Sequence, residues 1–181
     1  MDLRSTLDAL TPRSATEAAD LAAVRRVVDS GGDPWSRDTP LHVTCSAVVV
    51  HPPTRRVLLR WHRRQQAWLQ VGGHADPGEY EPFAVARREA AEETGLPDLT
   101  PWPDPRRPAV VHLAVVPVPA AGSEPAHEHA DLRYVLATDR PDDIAAESPD
   151  APLRWLDLDD ANALTAEDNL RETLARIDFA L

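Results

Sequence analysis

The chain has 181 residues, of which 43% are hydrophobic, 19 are basic and 30 are acidic, so its net charge is −11. This length suits one domain with a buried core and is too short for two ordinary domains. The acidic balance argues against broad nucleic-acid binding, and an anionic phosphate substrate needs local positive charge, which a divalent cation supplies most compactly.

Cys45 is the only cysteine, which excludes an intramolecular disulfide and a zinc site built from several cysteines. It lies in an apolar run, so a buried thiol is expected rather than a nucleophile. The first twenty residues contain six charged side chains and no apolar signal-peptide core. No stretch approaches the roughly 18 to 20 apolar residues of a membrane span. We therefore expect a soluble cytoplasmic protein that does not bind membranes.

Helical spacing predicts two helices near the N-terminus, at residues 3–10 and 15–29. A run rich in β-branched residues then predicts a strand at 41–50. A proline-containing turn leads to a returning strand at 56–61, so these two strands form a hairpin. A short strand at 68–71 ends in two glycines.

Good helix formers predict a helix at 81–94, and Gly95 is well placed for its left-handed cap. Three further strands are expected at 110–118, 133–138 and 153–156. A final helix is predicted from Thr165 towards Ile177.

Strands and helices alternate without regular βαβ units, so the fold class expected is α/β of the α+β type, a mixed sheet covered by helices. We divide the chain into an N-terminal helical extension at 1–38 and a main domain at 39–181. The extension has three open roles, which are capping a pocket, forming a homodimer interface and padding the core.

The sequence Arg-Glu-Ala-Ala-Glu-Glu-Thr-Gly-Leu at 88–96 carries the chemical signal. On a helix Glu89, Glu92 and Glu93 stand at i, i+3 and i+4, so three carboxylates share one face. Such like charges cost roughly 0.2 to 0.5 kcal/mol per exposed pair, a cost that a bound cation removes. The alternative is a solvated acidic face that Arg87 and Arg88 partly neutralise.

Together with the upstream sequence Gly-Gly-His-Ala-Asp-Pro-Gly-Glu at 72–79, this segment resembles the Nudix box. Gly73 and Glu79 have the separation of that motif, and residues 88–96 match it at every fixed position. One departure is present, because the eight residues 80–87 stand between Glu79 and Arg88 where the family usually has seven. The placement of Glu79 against the helix is therefore the open point.

The resemblance implies a Nudix-like α/β/α sandwich at 39–181 that holds Mg²⁺ or Mn²⁺ against a substrate diphosphate. Carried over, the metal ligands are the carbonyl of Gly72 and the carboxylates of Glu89, Glu92 and Glu93. Glu79 would be a further ligand or an orienting group, which Arg88 holds by an ion pair. Glu92 is also the candidate general base, although several Nudix enzymes take the base from a later loop.

The activity implied is hydrolysis of a phosphoanhydride bond in a nucleoside diphosphate linked to another group. The substrate is a small nucleotide or another diphosphate, and its identity stays open. One alternative is a catalytically silent Nudix-fold sensor or interaction domain, against which the complete set of carboxylates argues. Another is an isoprenoid diphosphate isomerase, which would need a reactive cysteine.

The segment 127–134 concentrates two histidines, two carboxylates and an arginine before an apolar strand. In isolation His127 and His129 suggest a zinc pair, but a lone pair of this kind is weak evidence. A solvated loop is a second interpretation. The third is a flank of the active site, in which Glu128 is a metal ligand or base and Arg133 contacts phosphate.

Three residues complete the candidate substrate contacts. Arg60 and His62 leave the second strand near the expected substrate, and His74 directly follows the box glycines. A basic hairpin tip is more often simply solvated, so this assignment competes with a structural one.

Overall fold

The computed structural model describes residues 1–179, which form five α-helices and eight β-strands. The helices are α1 (Leu3–Ala9), α2 (Ala15–Asp29), α3 (Pro82–Thr94), α4 (Leu158–Leu164) and α5 (Asp168–Leu174). The strands are β1 (Leu41–His51), β2 (Arg56–His62), β3 (Ala67–Leu69), β4 (Val71–His74), β5 (Thr100–Pro101), β6 (His112–Val118), β7 (His127–Ala137) and β8 (Leu153–Leu156).

All eight strands belong to one mixed sheet centred on β1 and β7. These two long strands are parallel, and every other pairing is antiparallel. On its other side β1 pairs with β4 along residues 44–47 and with β2 along residues 49–51. β1 therefore lies between β4, which contains Gly72 and Gly73, and the polar residues of β7.

Helices cover both faces of the sheet, each over its own apolar cluster. The first cluster joins α1, α2 and α3 to the face of β1 that bears Cys45 and Ala47. The second joins α4 and α5 to the opposite face, which bears Val48 and Val50. Adjacent residues of a strand point to opposite faces, so both faces of β1 are buried. The α/β/α sandwich expected from the sequence is confirmed.

Two elements differ from the sequence expectation. β7 begins at His127, six residues before the predicted strand, because β1 and β6 pair with its polar first half from both sides. The predicted final helix is present as α5, but it is shorter than expected and spans only Asp168–Leu174. The helix α4, which precedes it, was not predicted from the sequence. Asp157 caps α4 by accepting a hydrogen bond from the backbone N–H of Asp160.

Within residues 1–179, no helix is both long enough and apolar enough to span a bilayer.

Candidate active site

Helix α3 is fixed at both ends by local chemistry. Pro82 occupies its first turn, where a missing N–H costs nothing, and Gly95 ends it at φ 71° in the left-handed region. Val85, Ala86 and Ala90 anchor the helix in the first apolar cluster. The carboxylate-bearing part of α3 is thereby held along β4, with which the helix packs closely.

The two glycines of β4 allow carboxylates and backbone to approach closely. Gly72 has φ 147°, and a Cβ there would lie 2.4 Å from Cα of Ser46, so β1 leaves no room for a side chain. A Cβ at Gly73 would lie 2.7 Å from a carboxylate oxygen of Glu89. On the same strand Glu93 accepts a hydrogen bond from the backbone N–H of Gly72 at 3.0 Å. Glu89 and Glu93 thus flank the glycine backbone.

Arg88 organises the remaining box residues. Its Nε and Nη2 donate to both carboxylate oxygens of Glu79 at 2.8–3.1 Å, and Nη2 also donates to the carbonyl of His74 at 2.9 Å. Its Nη1 donates to Glu89 and Glu92, each at 2.9 Å. The ion pair implied by the Nudix resemblance is present despite the extra residue at 80–87, because the helix begins only at Pro82.

The environments of the carboxylates push their pKa values apart. Burial raises the pKa of Glu93 to about 7, although the nearby Arg60 acts in the opposite direction. Burial also raises the pKa of Glu89. Hydrogen bonds from Arg88 lower the pKa of Glu79. A cation at this position would therefore meet the firmly ionised carboxylate of Glu79. It would also meet Glu89 and Glu93, whose ionised forms are unfavourable without a positive partner.

The cleft beside these carboxylates is open and polar, with a volume of about 690 Å³ including its mouth. Its wall carries the box residues Gly72, Gly73 and His74. Its floor is a buried network on the face of the sheet opposite α3, formed by Thr44, Ser46, Gln70, Asp131 and Arg133. The glycines of β4 thus border both this polar cleft of ligand size and the carboxylates of Glu89 and Glu93.

A family model for the NUDIX domain matches residues 40–177. The chain belongs to the Nudix family. A comparison with curated proteins found no match.

Solved structures support the same Nudix fold at low sequence identity. The E. coli dihydroneopterin triphosphate pyrophosphohydrolase is 19% identical with a TM-score of 0.57, covering 77% of this chain and 96% of that one. A binary complex of the C. elegans Ap4A hydrolase is 19% identical with a TM-score of 0.57, covering 74% and 93%. The M. smegmatis Nudix hydrolase RenU is 22% identical with a TM-score of 0.53, covering 75% and 82%. The family and these neighbours support hydrolase activity of the Nudix kind.

Three of the four predicted substrate contacts line the cleft, and Arg60 does not. His62 and His74 line the cleft. Arg60 reaches the carboxylate of Glu93 at 3.1 Å and that of Glu147 at 3.1 Å. Arg133 is at the floor of the cleft, but it is 1% exposed, and its guanidinium donates to Asp131, Asn169 and Thr173. These contacts make Arg133 a support of the floor, and its expected contact to phosphate stays a prediction.

Glu128 does not line the cleft, and its expected role as metal ligand or base stays a prediction. His129, Asp131 and Arg133 of β7 line the cleft, and side chains alternate along a strand. Glu128 therefore faces the other side of the sheet, the one that α3 covers, where it is exposed. The sequence analysis began this strand only at residue 133, so it applied no such alternation to Glu128.

Sequence reasoning missed the polar floor of the cleft and His42. Thr44 and Ser46 interrupt an apolar strand at every second position, a signal that was available. Gln70 gave no such signal, and its Oε1 is one of two buried side-chain polar atoms in the described residues that lack a hydrogen-bond partner. The other is Nε of Arg60. Both residues border the proposed site.

Proposed function

We propose that this Nudix protein is a Mg²⁺- or Mn²⁺-dependent hydrolase that cuts a phosphoanhydride bond in a nucleoside diphosphate linked to another group. The observation that carries the proposal is the convergence of α3 and β4. Two carboxylates of the helix lie against the glycine backbone of the strand, beside an open polar cleft.

The donor set fits a hard divalent cation. Mg²⁺ takes oxygen ligands and shares its coordination shell with water and substrate phosphate. Glu89, Glu92, Glu93 and the carbonyl of Gly72 would hold it. In the structure Arg88 contacts Glu89 and Glu92 where a cation would compete for them. Arg88 therefore keeps these carboxylates ordered and charge-balanced before the metal binds.

When bound, the cation supplies charge neutralisation at the diphosphate and lowers the pKa of a water. The chain contributes orientation and proton transfer. Glu92 is the most exposed of the three helix carboxylates, with 56% of its side chain exposed, and it is our candidate to accept a proton from the attacking water. Glu79 and Arg88 position the helix carboxylates. Arg60 and His62 are the candidate contacts to the phosphate, with His74 on the adjoining wall.

The named activities of the structural neighbours suggest the substrate class. One neighbour is named for a pterin triphosphate and another for Ap4A, and both compounds contain a polyphosphate linked to a heterocyclic group. We therefore propose a small nucleotide-like diphosphate as the ligand of the cleft. The unpaired Oε1 of Gln70 offers a hydrogen-bond acceptor to an N–H group of such a ligand.

The alternatives weighed from the sequence gain less support. A silent sensor is disfavoured because the carboxylates are all present and held together by Arg88. An isomerase relying on Cys45 is disfavoured because burial raises the pKa of this thiol well above its usual value. Cys45 also lies in the first apolar cluster, on the face away from the cleft.

The test is a screen of phosphate release from nucleoside triphosphates, dinucleoside polyphosphates and nucleotide sugars, coupled to a phosphatase, with and without Mg²⁺. We expect Mg²⁺-dependent release by the wild type. Turnover in Glu92→Gln should be at least tenfold lower, a threshold set below the roughly 10²- to 10⁴-fold contribution of a typical acid–base group because glutamine keeps part of the polar contact. Asp159→Asn, an exposed change in α4 on the other face of the sheet from α3, is the control. Equal turnover in wild type and Glu92→Gln, or turnover independent of metal, would refute the proposal.

The remaining expectations stay predictions. The cytoplasmic location and a homodimer are among them. The division at residue 38 is also a proposal, although the family model begins at residue 40. Leu3 and Leu7 of α1 and Leu21 and Val24 of α2 belong to the first apolar cluster, which favours a role of the extension in the core.

A further inference from the structure

Four histidines from three strands converge at the end of the cleft. His42 lies on β1, His74 on β4, and His127 and His129 on β7. The parallel register pairs His42 with His129. The ring centroids of His42, His74 and His129 are 4.8–5.1 Å apart, and one ligand nitrogen from each of these three rings lies within 4.8 Å of the others.

Backbone carbonyls fix the orientation of two of these rings. Nδ1 of His42 lies 2.7 Å from the carbonyl of Thr39, and Nδ1 of His127 lies 2.9 Å from the carbonyl of Pro125. A carbonyl only accepts, so each Nδ1 must carry the proton, and in a neutral ring Nε2 then has a free lone pair. Metal-binding histidines are held in this way, with one nitrogen donating to a carbonyl and the other facing the ion.

The spacing of the inward-facing nitrogens matches a small ion. A tetrahedral Zn²⁺ site with Zn–N bonds of about 2.0–2.1 Å needs nitrogens roughly 3.3 Å apart. Nε2 of His42 lies 3.0 Å from Nε2 of His74. Nε2 of His127 lies 3.1 Å from Nε2 of His129. One pair of ligand atoms, on His42 and His74, therefore already has nearly the separation that coordination requires, while His127 contacts the third ring.

We propose that His42, His74 and His129 form a site for a divalent transition-metal ion, with Zn²⁺ as the best match. Three imidazoles suit Zn²⁺ and its neighbours in the first transition row, whereas Mg²⁺ prefers oxygen. This site is therefore chemically distinct from the carboxylate set on α3. His127 flanks it through its hydrogen bond to His129.

The location gives the ion access to ligands in the cleft. His42 is 1% exposed and closes the inner side of the cluster, whereas His74 and His129 line the cleft. Three protein ligands leave a fourth coordination position open to water or to a ligand oxygen, the arrangement found where zinc contacts exogenous molecules. His74 directly follows Gly73, so this position adjoins the proposed diphosphate site.

Zinc binding is measured by calorimetry on the full chain after removal of bound metal with a chelator. We expect one Zn²⁺ per chain in the wild type, and at least about tenfold weaker binding in His42→Gln and in His129→Gln, since even outer partners of metal-bound histidines contribute that much. His51→Gln is the matched control because His51 lies at the far end of β1. Circular dichroism checks that each variant is folded.

A spectroscopic measurement on the wild type covers the case in which a variant does not fold. Co²⁺ replacing Zn²⁺ should give the strong visible absorption of a four-coordinate nitrogen site, unchanged by excess Mg²⁺. No zinc binding by the wild type, or a Co²⁺ spectrum of a purely six-coordinate oxygen site, would overturn the proposal. So would wild-type zinc affinity in folded His42→Gln and His129→Gln, or loss of zinc binding in Glu92→Gln alone. None of these readouts depends on hydrolysis.

Discussion

Arg60 of β2 and Glu93 of α3 form an ion pair across the edge of the sheet, with 3.1 Å between Nη1 and the carboxylate. Only 14% and 12% of the two side chains are exposed, so the charge of Glu93 depends on Arg60, which also pairs with the exposed Glu147. Glu93 is also one of the proposed metal ligands. The pair therefore links the stability of the free protein to the charge of the proposed metal site.

Arg60→Met is expected to destabilise the metal-free protein by roughly 1–3 kcal/mol, because it leaves a largely buried carboxylate without a counter-charge. Adding Mg²⁺ should restore part of this loss, since the cation replaces the missing positive charge. The measurement is urea denaturation of both proteins with and without Mg²⁺.

Arg63→Met is the control for this prediction, because Arg63 is exposed and pairs with the equally exposed Asp150. Its unfolding should match the wild type within a few tenths of a kcal/mol, as for most exposed ion pairs. If Mg²⁺ stabilises Arg60→Met no more than the wild type, Glu93 does not contribute to metal binding.

Much of the fold could be predicted from local patterns, because apolar periodicity and turn residues are local properties. The β1–β2 hairpin and the left-handed cap at Gly95 are confirmed. The first half of β7 could not be found in this way, since His127 to Asp131 are polar and become a strand through pairing with β1 and β6. Tertiary pairing there outweighs local preference.

The part of the candidate site that lies in the Nudix box could be predicted from the sequence. The part that β1 and β7 contribute could not. Glu79 and Arg88 are separated by a fixed short interval, so a motif is enough to relate them. His42 and His129 are neighbours only through the parallel register of two strands far apart in the chain. Glu128 was assigned without knowing that register, and the alternation along β7 turns it from the cleft towards the face that α3 covers.

Arg88→Lys should lower turnover by roughly 10- to 100-fold, the usual cost of losing a group that orients metal ligands. Lysine keeps the charge, but it cannot bind Glu79 through two parallel hydrogen bonds while also reaching Glu89 and Glu92. Steady-state kinetics against Mg²⁺ concentration measures the effect, which should include a higher metal requirement. Arg87→Lys, on the exposed side of the same helix, is the control, and similar losses in both variants would argue against this role.

His112 predicts a pH dependence of stability. Burial, with Arg133 and Arg176 nearby, lowers its pKa from 6.5 to about 4. In the unfolded chain His112 therefore takes up a proton near pH 6.5, whereas in the folded protein it takes up a proton only near pH 4. The contribution of His112 to the free energy of unfolding is fully present above pH 6.5. It falls as the pH is lowered from 6.5 to 4, by up to about 1.4 kcal/mol per pH unit.

His112→Asn should flatten the dependence of unfolding free energy on pH between about 4 and 6.5, relative to the wild type. Asparagine places a polar atom near Nδ1, which lies 2.9 Å from Oγ1 of Thr173, so packing changes little. Urea denaturation at a series of pH values gives the slopes. His51→Asn, at the end of β1, should retain the wild-type slope. Parallel curves for His112→Asn and wild type would mean that His112 is protonated in the folded protein.

Glu17 tests whether the extension at 1–38 is an integral part of the core. This residue of α2 is 2% exposed and accepts hydrogen bonds from the backbone N–H groups of Arg13 and Leu113, at 2.7 and 3.1 Å, and from Arg176 at 2.9 Å. Burial alone would raise its pKa, but these bonds outweigh burial and lower it. Glu17 therefore joins the extension to β6 and to the C-terminal part of the chain by charge as well as by packing.

Glu17→Gln should lower the free energy of unfolding by about 2–4 kcal/mol, because Arg176 loses its buried counter-charge and an amide nitrogen cannot accept the bond from Arg13. Asp8→Asn, an exposed change in the same extension, should have little effect. Chemical denaturation compares the two variants, and a single cooperative transition in each would show that α1 and α2 unfold with the sheet. Equal midpoints for Glu17→Gln and wild type would mean that the apolar contacts of α1 and α2 alone hold the extension in place.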